Sequence, residues 1–551
     1  MKKNLLIFVV ASVSLLAFCF TAYAETAQSV TQYGITWTFD KPYPVGQFVS
    51  GDWWVVGPVK ITAITNTLNP EGYEVEPGLN GSMVNPPFNE KTGYDVRAKW
   101  HYDPSVNASL PNGKPLAPDN LLLLAPDSSL VSSVSWIWKD GKPVEEHSPR
   151  VWDDKIDGPV YAAKAQAILT VLAAPPPEGT FRPGFCGTEK KLYNIKDIKW
   201  DKLQNLPPIP ELTYDPAAET PVLGTIGPLH GKVNIKLLTE ATQRPWIDHV
   251  YDWKSNSLWA TYNFPGNGYG RTVGNLIGTA ILALNMDWTK LEGTRDEGRG
   301  MKEESAVANG QSETAPATVS FIPPPSSLKK DLLVNLVQRG IDYAAIAKVG
   351  GGWPLNGGIF GGRKAPILFA GVMLDDPDMK SVGTWKTQFH DDDGVFYVSQ
   401  KEVDMTRSDQ WKPDKRGGHL VPYTEEMIGM PEWGFRPTAV NAAWGKNPYR
   451  SVNVVVIPPL ALAMLVMDAR ALYNREVYFD YADRVMSDPK YHTGMANITT
   501  AFTNSAWAAY RSKYPTNYDP AKWDKFFFDD GGGDKAPPTP EQQEHIKQNR
   551  R

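Results

Sequence analysis

The chain has 551 residues, 42% of them hydrophobic, and a formal net charge of −5. That is enough chain for two or three separate cores. So mild a charge excludes nucleic acid as the main partner, and an anionic ligand must be met by a local Arg, Lys and His cluster.

Lys2 and Lys3 precede an apolar run over 5–20, and Ala22-Tyr23-Ala24 forms a small-x-small cleavage site. This pattern predicts a signal peptide over 1–24, a mature start at Glu25 and a secreted or periplasmic protein. Phe18, just before Cys19, is too bulky for lipoprotein processing. Loss of the leader removes Cys19 and leaves Cys186 alone, so no internal disulfide forms and an inert, buried thiol is expected. The run 452–467 comes nearest to a membrane span, but Asn453, Pro458 and Pro459 interrupt it. It is expected as a buried helix, without stable membrane insertion.

Residues 25–178 read as a β-sandwich. Short alternating runs at 34–39, 53–56, 60–64, 134–138 and 167–171 are separated by turn residues, and Asp140-Gly141 has the chemistry of a two-residue hairpin turn. Three prolines at 175–177 end this pattern. A connector rich in Pro and Lys follows over 179–220.

From 221 to 530 the hydrophobic period becomes helical, with helices predicted over 232–238, 272–285, 328–348, 365–374, 459–473, 477–486 and 498–510. The polar stretch 297–317 reads as a loop or insertion, and 531–551 as a flexible tail.

Three blocks carry chemistry. Segment 244–285 crowds Trp246, His249, Tyr251, Trp253, Trp259, Tyr262, Asn263 and Tyr269 ahead of a helix whose Val273, Leu276, Ile277, Ala280, Ile281 and Leu284 share one face. A glycine-rich turn at 266–271 holds Tyr269 and Arg271 beside the helix start. Aromatic faces stack on sugar rings and polar groups select among hydroxyls and carboxylates, so this composition suits a saccharide cleft. The second block is a glycine-rich loop between two helices that presents Trp353, Asn356, Arg363 and Lys364. It is not a nucleotide phosphate loop, because Ala365 and Pro366 follow the lysine. The third runs from Met430 through Glu432, Trp433 and Gly434 to Arg436. There Glu432 is either a substrate-orienting carboxylate or half of an internal Glu–Arg pair. The run of His390, three aspartates and Gly394 reads as a solvated turn that leaves room for a structural divalent cation; no cofactor is otherwise expected.

The order of these blocks, behind a leader and a β-rich domain, resembles bacterial polysaccharide lyases with an incomplete α/α-toroid, the alginate- and glucuronan-lyase-like group. The likeness covers roughly 220–490 and rests on Tyr269-Gly-Arg271, the 340–364 block and 430–434. It implies a multidomain α+β protein, an N-terminal β-sandwich followed by an (α/α) toroid, that cleaves an anionic, uronic-acid-containing polysaccharide by β-elimination. Such chemistry needs a base at C5, an acid for the leaving oxygen and a cation to neutralise the uronate. Tyr269 is the expected base and acid, and His249 the alternative base. Arg271 and Asn263 would neutralise the carboxylate. Arg363 and Glu432 would orient substrate, with Trp259, Tyr262, Trp353, Asn356 and Trp433 lining the cleft. Two other classes remain open at this stage. One is a glycoside hydrolase using a pair among Asp248, Asp342, Asp391 and Glu432; the other is a non-catalytic glycan-binding protein.

Overall fold

The computed structural model describes residues 25–67, 81–86, 116, 119–135, 138–139, 142–143, 163–218, 232–247, 270–294, 324–355, 360–407, 423–434, 454–488 and 500–526. The leader, the stretch 297–317 and the tail 531–551 lie outside these residues, as does 248–269.

The fold is mixed, a curled N-terminal sheet followed by helices. Ten strands come first: β1 (Glu25–Gln32), β2 (Ile35–Gln47), β3 (Trp53–Val56), β4 (Val59–Asn66), β5 (Gly81–Val84), β6 (Leu122–Leu124), β7 (Ser128–Ser135), β8 (Trp138–Lys139), β9 (Lys142–Pro143) and β10 (Ala163–Leu172). Strands β8 and β9 pair Lys139 with Lys142, which is the register a two-residue turn at 140–141 requires. The other eight form one sheet in the order β5-β7-β10-β3-β2-β4-β6, with β1 also on β2. Every pairing in it is antiparallel except that of β10 with β3.

Strand β2 makes the curl. Its first half pairs β4 and its last residues pair β3, with a register shift between Thr38 and Phe39. A bulged strand that changes partner bends the sheet. The bend brings distant strands onto one core of Trp37, Phe39, Val59, Ile61, Leu124, Leu130, Leu169 and Val171. Trp37 Nε1 on β2 donates to Ser132 Oγ on the non-adjacent β7 at 2.9 Å, inside that core. The sequence predicted two layers of a sandwich; the described strands reach a closed core through one continuous, curled sheet. Alternate residues face the other way, and Met83, Val131 and Ile168 join the core of the helical part.

The connector is packed rather than free. Phe181, Arg182 and Phe185 are fully buried, and Lys199 N–H donates to Met373 O at 2.7 Å. Although rich in Pro and Lys, the connector carries apolar side chains, among them Phe181, Phe185, Ile198, Ile209 and Leu212, that join the core of the helical part.

Eight helices are used below: α1 (Ile235–Gln243), α2 (Gly270–Leu284), α3 (Pro325–Lys348), α4 (Lys364–Met373), α5 (Gln400–Arg407), α6 (Ile457–Val466), α7 (Glu476–Ser487) and α8 (Thr500–Tyr510). All seven predicted helices are present with shifted ends. The predicted 459–473 breaks at Asp468, whose φ of 52° is left-handed, and resumes as one turn at Arg470–Tyr473. Asn234 caps α1 by accepting Lys236 N–H at 2.9 Å. Helix α3 is central and lies against α1 and α4, while α6 lies against α2, α7 and α8. Close approach is paid in glycine: a Cβ on Gly340 of α3 would sit 2.2 Å from Pro366 O of α4, and one on Gly278 of α2 would sit 2.8 Å from Leu460 N of α6. Among the described residues no helix is long and apolar enough to cross a membrane.

Candidate functional site

The end of the glycine-rich loop is fixed from beneath by the acidic run. Residues His390–Asp393 form a single helical turn, and His390 and Asp391 are buried at 3% and 2% exposure. The solvated turn expected from sequence is therefore corrected in part: Asp391 is buried and Asp392 half-buried because the loop supplies donors for them, while Asp393 stays exposed. Asp391 accepts Gly362 N–H through both carboxylate oxygens, at 2.9 and 3.1 Å. Lys364, with a fully buried side chain, holds Asp392 Oδ1 at 2.6 Å and lies 4.4 Å from the Tyr473 ring centre. Burial lowers the Lys364 pKa and raises those of Asp391, to about 6, and Asp392. The Tyr473 and Tyr478 phenols are pushed far up, first by burial and then by the charge of Asp391, so neither ionises at neutral pH. Among the described residues no group of three or more potential metal ligands converges.

The same turn joins the other blocks. Trp353 N–H donates to Gln388 O at 2.8 Å and its ring stacks on Phe389 at 5.7 Å, which holds 351–355 beside the turn. Strand β11 (Leu212–Thr213) of the connector pairs in parallel with β12 (Val233–Asn234) beyond it; β13 (Val395–Tyr397) follows the acidic turn directly and pairs antiparallel with β14 (Pro431–Trp433). Gly434 N–H donates to Gly394 O at 2.9 Å. Gly361 and Gly362 lie on α2: a Cβ on Gly274 would be 2.5 Å from Gly361 O, and one on Gly362 2.6 Å from Gly274 Cα. The described parts of the three blocks, the start of α2, the end of the glycine loop and 430–434, thus converge on one region although they are separated by up to about 160 residues of chain.

Of the expected site residues, Tyr269, His249, Asn263, Tyr262, Trp259 and Asn356 lie outside the described residues. Arg271 stands in the first turn of α2, where the backbone alone is described. Trp353, Arg363, Glu432 and Trp433 are all within the interior, none more than 1% exposed. Arg363 Nη1 donates to Gly361 O at 3.0 Å, back into its own loop. Glu432 Oε2 accepts Arg484 Nη1 of α7 at 2.6 Å and its Oε1 accepts Trp433 N–H at 2.8 Å. Glu432 is thus half of an internal ion pair with Arg484; Arg436, its neighbour in sequence, lies outside the described residues.

The aromatic segment is rooted by a second buried network. Arg339 of α3 donates to Thr242 O at 3.1 Å and Arg244 O at 2.7 Å, and its guanidinium lies 3.9 Å from the Trp246 ring centre. Burial pushes the Arg339 pKa down to about 10. Arg244 covers Tyr33, in the β1–β2 turn, at 4.6 Å. Beside them Arg182 bridges the two halves of the protein. Its Nε donates to Asp52 at 2.6 Å, and Nη1 and Nη2 donate to Asp342 at 2.9 and 2.7 Å. Sequence reading missed Asp391 as a structural acceptor, and also Arg484, Arg182 and Asp52. Only Asp391 carried a signal, the unusual acidic run itself; the others sit in unremarkable surroundings and meet their partners only after folding.

In comparison with known proteins, the chain matches no family model, no curated protein and no solved structure.

Proposed function

We propose that this protein is an exported polysaccharide lyase acting on a uronic-acid-containing glycan. The carrying observation is the convergence of the α2 start, the glycine-loop end and the 390–394 turn with β14. It places a helix end bearing Arg271, next in sequence to the glycine turn with Tyr269, against a rigid, buried support. In this reading Arg271 and Asn263 neutralise the uronate carboxylate, and Tyr269 removes the C5 proton. The C4–O bond then breaks, a C4=C5 double bond forms, and the leaving oxygen takes a proton from Tyr269. A phenol needs an adjacent cation to serve as base at neutral pH, and Arg271 stands two residues away. Trp259 and Tyr262 would stack on sugar rings, with His249 as the alternative base. Trp353, Arg363, Glu432 and Trp433 support the cleft from within rather than touch the polymer, since their side chains are buried in the interior. The helical part is read as an incomplete α/α toroid, and residues 1–24 as a leader removed on export.

The hydrolase reading is the weaker one. Three of its four candidate carboxyls, Asp342, Asp391 and Glu432, are buried and bound to Arg182, Gly362 and Arg484 respectively. A hydrolase needs two carboxyls facing the scissile bond. The test is incubation of the mature chain with a panel of polyuronates. Rising ultraviolet absorbance from the unsaturated uronate is expected. It should fall at least about 10²-fold in Tyr269→Phe, with unchanged melting temperature. New reducing ends without that absorbance would refute the lyase reading in favour of a hydrolase, and binding without cleavage in favour of a glycan-binding protein.

A further inference from the structure

Asp391 gives a buried carboxylate to the backbone of the loop end, at Gly362 and Lys364. Both of its oxygens accept Gly362 N–H, at 2.9 and 3.1 Å, and the carboxyl is 2% exposed. Gly362 has a φ of +86°, a conformation open to glycine, and there its Cα meets Gly274 with no room for a methyl group between them. Gly274 lies one turn after Arg271 in α2, and Arg363 and Lys364 follow Gly362 directly.

We propose that Asp391 is a positioning residue: its carboxylate latches the Gly361–Gly362 turn onto the first turns of α2 and so fixes the Arg271-bearing helix end against the glycine loop. This rests on the lyase reading for its catalytic consequence, but the latch itself does not. A shift of about 1 Å in a positioned group costs on the order of 10²-fold in rate, so a contact of this kind is felt in turnover rather than in substrate capture.

The latch also titrates. The Asp391 carboxyl is raised to about 6, first by burial; donation from Gly362 opposes the rise, the Asp392 charge adds to it, and the Lys364 ammonium and backbone N–H oppose it. His390 precedes it in the chain, and the Tyr473 and Tyr478 phenols, neutral at these pH values, face it. Above the folded pKa the ionised carboxylate holds Gly362 with both oxygens. Below it one oxygen carries a proton and the two-point contact is lost.

The experiment uses the full mature chain and Asp391→Asn. The asparagine keeps the size and one acceptor but cannot ionise. At about pH 7.5, kcat on the preferred polyuronate should fall by about tenfold or more with KM within about threefold. The acid limb near pH 6 seen in the native protein should vanish from the variant. Amide hydrogen exchange in the peptide covering 360–365 should speed up in the variant, and in the native protein as pH falls through about 6, after correction for intrinsic rates. Unchanged exchange in both comparisons would overturn the latch. Faster exchange with unchanged kcat and pH profile would overturn its positioning role. Should the native chain cleave no polyuronate, the lyase reading fails and the exchange measurement still judges the latch. Should Asp391→Asn fail to fold, the pH series on the native protein decides alone.

Discussion

Replacing Arg182 with methionine should be among the most damaging single changes in the protein. Arg182 is fully buried and makes three charge-assisted hydrogen bonds, one to Asp52 and two to Asp342. Methionine matches much of its volume, so little cavity cost arises; the loss is electrostatic. Breaking a buried pair by removing one partner costs about 3–5 kcal/mol, because the other charge stays in a low dielectric. Two carboxylates are stranded here, so the upper end, about 5 kcal/mol, is expected, against a total stability of about 5–15 kcal/mol. The pH dependence checks the cause. Burial already raises the Asp342 carboxyl, and Arg182 is the first-ranked opposing influence. Without Arg182 that carboxyl rises further above its unfolded value. The folded variant then binds more protons than its unfolded chain, and its stability increases as pH falls through this window. The deficit should therefore be largest above about pH 7 and shrink toward about pH 5. Urea unfolding followed by tryptophan fluorescence at the two pH values measures it. A triple change of Asp52 and Asp342 to leucine with Arg182 to methionine should recover much of the loss, since an apolar replacement leaves no stranded charge. A deficit below about 1 kcal/mol, or one equal at both pH values, would refute the argument.

Gly340→Ala should lower the melting temperature although alanine is the better helix former by about 1 kcal/mol, because its methyl would meet Pro366 O at 2.2 Å and Ala370 Cβ at 2.4 Å. A rise in melting temperature would show that α3 and α4 part without cost. Cys186 is 2% exposed and its thiol is pushed well up, first by burial and then by the charge of Asp342. Thiol reagents should label the native protein slowly and the unfolded protein to completion; fast native labelling at mildly alkaline pH would refute the burial argument.

Secondary structure and much of the core were legible in the sequence because they are local. The face of Val273, Leu276, Ile277, Ala280, Ile281 and Leu284 is a 3.6-residue period, and all six residues are buried in α2. The Asp140-Gly141 dipeptide in the sequence announced the β8–β9 register in the same way. The 452–467 run became a buried helix because its prolines sit at the start of α6, where missing N–H groups cost nothing.

What only the tertiary structure decided is who meets whom. Lys364 and Asp392 are 28 residues apart, Glu432 and Arg484 are 52 apart, and Arg182 and Asp342 are 160 apart. No periodicity records such distances. Asp391 and Asp392 looked like solvated charge because burying carboxylates is costly unless donors wait for them, and those donors, Gly362 and Lys364, come from another segment. Likewise Trp353 and Trp433 carry the composition of a binding surface, but their neighbours turn them inward. A residue type limits what a side chain can do; its partners, brought together by the packing of α2, α4 and the β13–β14 pair, decide which of those things it does.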